Sequence, residues 1–173
     1  MFFELTNSYD KVYKFFEVLN KAGHQVLGYT IMPNHVHLLI YFKKGKQPLN
    51  TVIGNGKRFI GYEIIKRLKQ DGKETVLSVL KEGVLSAESK RAKLHQIWQG
   101  TFDVKECRTE KFILQKLNYM HANPCAEKWK LCENWYDYSH SSAAYYELGR
   151  RDNKWLRDYQ DFLAVVLENE EKQ

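Results

Sequence analysis

The sequence lacks the patterns that mark secreted and membrane proteins. Its three cysteines, Cys107, Cys125 and Cys132, form no CxxC pair and leave an odd one over. That spacing argues against a disulfide framework and against a structural zinc knuckle, and it fits a reducing cytosol. No apolar run approaches the roughly 18 residues that a membrane span needs. The N-terminus also lacks the basic start and apolar core of a signal peptide. We therefore expect a cytoplasmic protein without a membrane partner.

The composition is sufficient for one hydrophobic core and gives the chain a net positive charge. Hydrophobic residues make up 43% of the 173 residues and aromatic residues 14%, which is typical of a globular chain. The formal net charge of +6 favours a polyanionic partner, although many proteins carry such a charge only for solubility. We predict a catalytic domain over residues 1–146, with an insertion at about 70–94. A C-terminal helix and charged tail would occupy 147–173.

The spacing of apolar residues predicts an α+β chain. Helices are predicted over 9–22, 49–69, 109–123 and 154–169, and strands over Gln25–Met32, His35–Phe42 and around Gln96–Val104. With one more strand in front, this order gives the βαββαβ unit of a ferredoxin-like antiparallel sheet, with helices on one face and extra C-terminal helices. Phe2–Leu5 is the segment that could supply this first strand; otherwise the strand is missing.

Two histidines open the second predicted strand. Side chains two residues apart in a strand share a face, so His35 and His37 point the same way. Two neutral imidazoles at this spacing can bind one divalent ion. The alternative is a polar strand end with two solvated or hydrogen-bonded histidines.

The predicted helix over 109–123 carries a second set of reactive groups. Tyr119 lies off its apolar stripe, Asn123 is one turn later on the same face, and Lys116 is one turn earlier. A lysine favours a phenolate nucleophile, and an amide oxygen can complete a metal shell. The alternative readings are a packed, hydrogen-bonded tyrosine and an ordinary helix C-cap before Pro124.

Four segments together resemble the single-tyrosine HUH transposases, which mobilise insertion sequences and include the transposases associated with repetitive extragenic palindromes. They lie in the family's order and close to its spacing, over roughly residues 10–146. The segments are IMPNHVHLLI (31–40), WQGTFDVKE (98–106), QKLNYMHANP (115–124) and YDYSHSSAAYY (136–146).

The resemblance implies an enzyme that cuts and rejoins single-stranded DNA carrying hairpins. By analogy, His35, His37 and Asn123 bind Mg²⁺ or Mn²⁺, and Tyr119 forms a covalent 5′-phosphotyrosine without a nucleotide cofactor. A homodimer is expected. For this substrate we expect the basic residues of the 49–69 helix to contact the DNA backbone, the alternative being a solvated helix face. These residues are Lys57, Arg58, Lys66 and Arg67.

The chain departs from the family at its start, where the first strand is not evident, and in the long 70–94 segment. Two other functions therefore stay open. A non-catalytic relic would bind DNA hairpins without cleaving them, and a water-using phosphodiesterase would need the histidines but not Tyr119. The chain is below the roughly 200 residues that an HxH barrel hydrolase needs.

Overall fold

The computed structural model describes residues 1–45, 47–84, 94–98, 100 and 102–170, with the side chains of 166–170 left out. Helices and an antiparallel strand pair give a mixed α/β chain. The helices are α1 (Phe2–Leu5), α2 (Tyr9–Lys21), α3 (Leu49–Gln70), α4 (Glu74–Glu82), α5 (Glu110–Ala122), α6 (Ala143–Leu148) and α7 (Tyr159–Glu170), and the strands are β1 (Gln25–Ile31) and β2 (Val36–Tyr41). Short 3₁₀ turns occupy Asn123–Cys125 and Trp135–Asp137.

The chain divides into two compact units. Unit 1 comprises Met1–Val12 and Gly45–Lys105, and unit 2 comprises Tyr13–Lys44 and Glu106–Gln173. In unit 1, α3 and α4 bury apolar side chains at helical spacing, as the sequence predicts for α3. These buried residues are Ile60, Ile64, Leu68, Leu77 and Leu80. Within its described residues, the predicted insertion contains the helix α4, and its residues 85–93 lie outside the described part.

The predicted hairpin is confirmed in unit 2. Strands β1 and β2 pair antiparallel, with Thr30 opposite His37 and Gly28 opposite Leu39. Helix α5 packs on the face that carries these residues, because Leu39 joins Leu117 in one buried cluster. A Cβ at Gly28 would overlap Leu117 Cδ1, so this glycine allows the close approach of α5 to the sheet.

Helices cover both faces of the strand pair, which corrects the prediction that they lie on one face. Tyr29 points away from α5, since it lies between Gly28 and Thr30 and strand side chains alternate. Its ring contacts Phe16 of α2, with centroids 5.3 Å apart. The sequence concealed this arrangement because six of the seven β1 residues are buried, so no polar face appears.

The edge of β1 that faces away from β2 is bound by C-terminal segments of the same chain. Ile31 N donates to His140 O at 2.8 Å, Ser142 N donates to Tyr29 O at 2.9 Å, and Arg157 N donates to Val26 O at 3.0 Å. A segment of the chain, rather than an added strand, thus satisfies the backbone groups at this edge.

The segment that could have supplied a first strand is helical, and the predicted strand around Gln96–Val104 is wrong. Phe2–Leu5 is a helical turn: Thr6 Oγ1 donates to Phe2 O at 2.7 Å, and Phe3 is buried. None of the described residues between Gln96 and Val104 is in a strand. At the start of this segment the backbone bonds to a helix instead, because Gln96 N donates to Leu80 O of α4 at 2.8 Å.

The C-terminal helix begins five residues later than the predicted 154, at Tyr159. Tyr159 and Phe162 of α7 join the buried cluster of α5, so this helix is part of the core of unit 2. Among the described residues, no helix combines the length and the apolarity that crossing a membrane requires.

Candidate active site

The two histidines of the HVH segment meet through the same ring atom. His35 Nε2 and His37 Nε2 are 3.0 Å apart, and the ring planes cross at 85°. His37 lies in β2 and His35 directly precedes it, and their two-residue spacing places both rings on the same side of the chain. The predicted pairing of the imidazoles is therefore present, and it presents two nitrogen donors to one point.

Asn34 determines which nitrogen of His35 is available. Its Oδ1 lies 2.6 Å from His35 Nδ1, and a carboxamide oxygen accepts hydrogen bonds only. The Nδ1 of His35 therefore carries the proton, and Nε2 presents its lone pair to His37. A hydrogen bond to the outer nitrogen of a histidine is the usual way to orient a metal ligand.

Both imidazoles are kept neutral by their surroundings. Burial lowers the pKa of His37 to about 4, with a smaller contribution from the charge of His35. Burial also lowers the pKa of His35, and Lys128 adds to this effect. At neutral pH neither ring is an imidazolium, which is the state that metal binding requires.

Asn123 brings a third donor to the same point. Helix α5 ends at Ala122, as Pro124 predicts, and Asn123 Nδ2 lies 3.2 Å from His37 Nε2. With the amide in this orientation, a proton on His37 Nε2 donates to His35 and opposes the Asn123 amide N–H, and without that proton His37 Nε2 faces the His35 lone pair. A half-turn of the amide, which places Oδ1 toward His37, removes the first opposition.

The same three groups could bind a divalent cation. Both Nε2 lone pairs could bind it, and a half-turn of the Asn123 amide would present Oδ1 instead of Nδ2. Two cis ligands at about 2.1 Å from an octahedral ion are about 3.0 Å apart, and the two Nε2 atoms are 3.0 Å apart. Among the described residues, no three His, Cys, Asp or Glu side chains are placed to hold a metal ion; the candidate third donor beside the two imidazoles is the Asn123 amide.

Tyr119 lies beside the histidine pair in the same chain. Its ring meets the ring of His37 edge to face, with centroids 5.8 Å apart, and 62% of the residue is exposed. The predicted alternative of a packed tyrosine does not apply, since a packed phenol would be largely buried. An exposed phenol next to a candidate metal site is accessible to a large substrate.

Lys116 does not join this site. Its Nζ lies over the ring of Phe112, 4.9 Å from the centroid, and its charge also acts on Cys107. The side chain thus points toward the preceding turn of α5. Its predicted effect on the Tyr119 phenol has no contact to support it.

The four cations of α3 differ in their engagement within unit 1. Arg67 is used by the fold: it donates to Asp10 Oδ2 at 2.8 Å and to the carbonyls of Thr6 and Asn7. Lys57 donates to Gly100 O at 3.2 Å. Arg58 and Lys66 are exposed. Of the four, these last two are accessible to a large ligand, and DNA contact by this helix stays a prediction.

Three contributors were missed from the sequence. Asn34 orients His35, and Trp129 contacts the His35 ring at 5.8 Å. His121, on the other side of α5, is buried and lies 2.8 Å from Ser142 Oγ, which ties the helix to β1. A signal for Asn34 was present, because it directly precedes the histidine segment. Trp129 lies in a loop without periodicity, so nothing in the sequence indicated its contact.

Comparison of the chain with protein-family models, curated proteins and solved structures found no match.

Proposed function

We propose that this protein is a metal-dependent transposase that cuts and rejoins single-stranded DNA through Tyr119. The observation that carries the proposal is the position of His37, which contacts His35, Asn123 and Tyr119 at once. Two strand imidazoles, a helix-terminal amide and an exposed phenol form a compact set. Its neutral donors suit an ion that must also bind phosphate oxygens.

In the proposed reaction, the ion is Mg²⁺ or Mn²⁺, held by His35, His37 and Asn123. When bound, it supplies Lewis-acid polarisation of the scissile phosphate and stabilises charge on the leaving oxygen. Asn34 keeps the proton of His35 on Nδ1, and burial keeps both rings neutral. The protein therefore presents nitrogen lone pairs rather than positive charge at the phosphate.

Tyr119 performs the covalent step. Its Oη loses a proton and attacks phosphorus; the bond from phosphorus to the 3′ oxygen breaks, and that oxygen takes up a proton. The product is a 5′-phosphotyrosine with a separate 3′-hydroxyl. A 3′-hydroxyl later attacks this ester, re-forms the DNA linkage and releases the phenol. The ester stores the energy of the bond, so the proposal includes no nucleotide cofactor.

The finer fold and the assembly belong to the same proposal. In the proposed finer fold, a further strand extends the sheet beside β2 as in a ferredoxin-like unit, with α2 and α5 on opposite faces of the strand pair instead of on one face. A homodimer could supply that strand and a second DNA-binding surface. Measurement of the mass in solution by light scattering tests this part: a monomer at all concentrations would contradict it.

The decisive experiment uses the intact protein, Mn²⁺ and labelled single-stranded DNA from its genomic flanks. We expect a covalent adduct that survives denaturation and is absent with Tyr119→Phe. Tyr62→Phe is the matched control, since Tyr62 is exposed to 63% and Tyr119 to 62%. Adduct formation by Tyr119→Phe would contradict the proposal.

The same experiment separates the alternatives. A water-using phosphodiesterase would cleave in the Tyr119→Phe variant without any adduct. A DNA-binding relic would retain hairpin binding and show no dependence on metal or on Tyr119. Tests of Lys116→Met in the same assay would show whether this lysine affects the phenol despite its contact with Phe112.

A further inference from the structure

Two cysteines whose spacing matches no CxxC motif lie in contact. Cys125 Sγ and Cys132 Sγ are 3.3 Å apart, although the residues are seven positions apart in the chain. Both side chains are half-buried, so small reagents can reach them. The sequence predicted no disulfide because it contains no CxxC pair and an odd number of cysteines. The contact depends on a turn that the spacing does not reveal.

The intervening loop is folded back by its own backbone. Lys130 N donates to Ala126 O at 2.9 Å, and Leu131 N donates to Pro124 O at 2.9 Å. Lys130 adopts a φ of 46°, which reverses the chain direction. These bonds bring the two thiols together in the reduced protein. Closing a covalent bond between them would therefore need little additional loss of chain entropy.

The loop between the thiols touches the candidate metal site. Trp129 packs against His35, with ring centroids 5.8 Å apart, and Lys128 lies over the Trp129 ring at 5.4 Å. Cys125 ends the short 3₁₀ turn that begins at Asn123. A cross-link at this place would fix both the loop and the end of the turn that carries the amide donor.

We propose that Cys125 and Cys132 form a reversible disulfide that restrains the 125–132 loop beside the histidine pair. The oxidant is a small-molecule disulfide such as oxidised glutathione. One cysteine thiolate attacks it, forming a mixed disulfide and releasing one glutathione thiol. The second cysteine thiolate attacks the mixed disulfide, forming the internal bond and releasing the second glutathione thiol. Two protein thiols are oxidised and one glutathione disulfide is reduced. In a reducing compartment such a bond is transient, which suits a sensor.

The thiols themselves give the first test, which does not require DNA or metal. The intact protein is incubated with oxidised glutathione, then alkylated and digested. We expect a peptide pair linked through Cys125 and Cys132, with a mass loss of about 2 Da. Cys107, also half-buried, is the internal comparison, and we expect its glutathione adduct to form about tenfold more slowly than the internal bond. Cys107→Ser should leave the internal bond unchanged.

Two variants define the contrary result. Besides the slow adduct at Cys107, Cys132→Ser should give a glutathione adduct at Cys125 and Cys125→Ser one at Cys132, with no internal bond in either variant. If the unmodified protein also accumulates such adducts without the internal bond, or if all three thiols react alike, the pair is not a redox site. Neither result would affect the DNA-cleavage proposal, since that proposal does not involve thiols.

Hydrogen exchange measures the restraint. We expect the backbone amides of residues 126–131 to exchange at least about threefold more slowly in the oxidised protein than in the reduced one. Cys107→Ser should show the same change, and Cys132→Ser should show none. Identical exchange in both redox states would overturn the proposed effect on the loop, even if the bond forms.

Discussion

The basic helix α3 and the histidine site use their polar side chains in opposite ways. On α3, Arg67 turns back to the protein, where it binds Asp10 and the carbonyls of Thr6 and Asn7. At the histidine site, Tyr119 and Asn123 point away from the apolar stripe of their helix toward a ring on a strand. The number of charged residues on a helix does not tell which of them are accessible to a ligand and which are bonded within the protein. The direction of a side chain relative to a buried stripe is more informative.

The largest expected effect tests whether His37 is the centre of its site. We expect His37→Gln to weaken Mn²⁺ binding more than about 100-fold, since loss of a mere orienting partner already costs about 10- to 100-fold. Isothermal titration calorimetry measures the affinity. His95→Gln is the control, because His95 belongs to unit 1. Equal Mn²⁺ affinity of His37→Gln and the unmodified protein would remove the metal from the proposal.

Most of the site could be predicted from the sequence because its rules are local. The two-residue period of a strand aligned His35 with His37, and the four-residue spacing on a helix aligned Tyr119 with Asn123. Distances between segments were not predictable in this way. No pattern in the sequence indicates that Cys132 returns to Cys125 or that Trp129 lies against His35, since both contacts depend on a loop without periodicity.

The fold was predictable to the same extent. The hairpin and the helices predicted over 49–69 and 109–123 have clear periodicity, and the structure confirms them as β1–β2, α3 and α5. The expected strand at Gln96–Val104 was wrong because Trp98 anchors to a helix, donating from Nε1 to Lys57 O at 2.7 Å. A residue with high β-propensity can lie in a strand or pack against a helix, and its propensity alone does not tell which of the two occurs.

A second test concerns how α5 is held while it presents Tyr119. His121 is exposed to only 3%, and burial lowers its pKa to about 4 from 6.5. The unfolded chain therefore binds the proton more readily, so the free energy of unfolding falls as the pH decreases from about 6.5 to about 4. This single group should contribute up to about 3 kcal/mol to the loss.

Urea unfolding across this pH range measures the effect. Other buried histidines also titrate there, so the comparison is with His121→Gln, which retains a hydrogen-bond donor for Ser142. We expect the free energy of unfolding of the variant to fall less on acidification. Its slope against pH should be smaller by the contribution of about one bound proton. Parallel curves for the two proteins would show that His121 is not the sensitive group.

A third test sharpens the contrast within α3. We expect Arg67→Ala to reduce the free energy of unfolding by about 1–2 kcal/mol, because charge-assisted hydrogen bonds are lost. Lys66→Ala, at the adjacent exposed position, should change it by less than about 0.5 kcal/mol. Chemical denaturation compares them. Equal stabilities would mean that the contacts of Arg67 contribute little.

The smallest expected effect concerns DNA. If Arg58 and Lys66 contact phosphates, each change to alanine should reduce the salt dependence of single-strand binding by about 0.7 in log–log slope. Fluorescence anisotropy at several salt concentrations measures that slope. Lys14→Ala is the control, since Lys14 is paired with Glu17 at 2.8 Å. A slope unchanged in all three variants would leave α3 without a role in binding.

The binding of the β1 edge by residues near 140 and 157 has a consequence during synthesis of the protein. Strand β1 leaves the ribosome more than a hundred residues before the segment containing His140 and Ser142, which bonds to Tyr29 and Ile31. Until that segment emerges, the nascent hairpin presents an uncapped strand to its surroundings. Nascent chains stalled before residue 140 should therefore recruit chaperones or aggregate, whereas release of residues 140–157 should end that exposure.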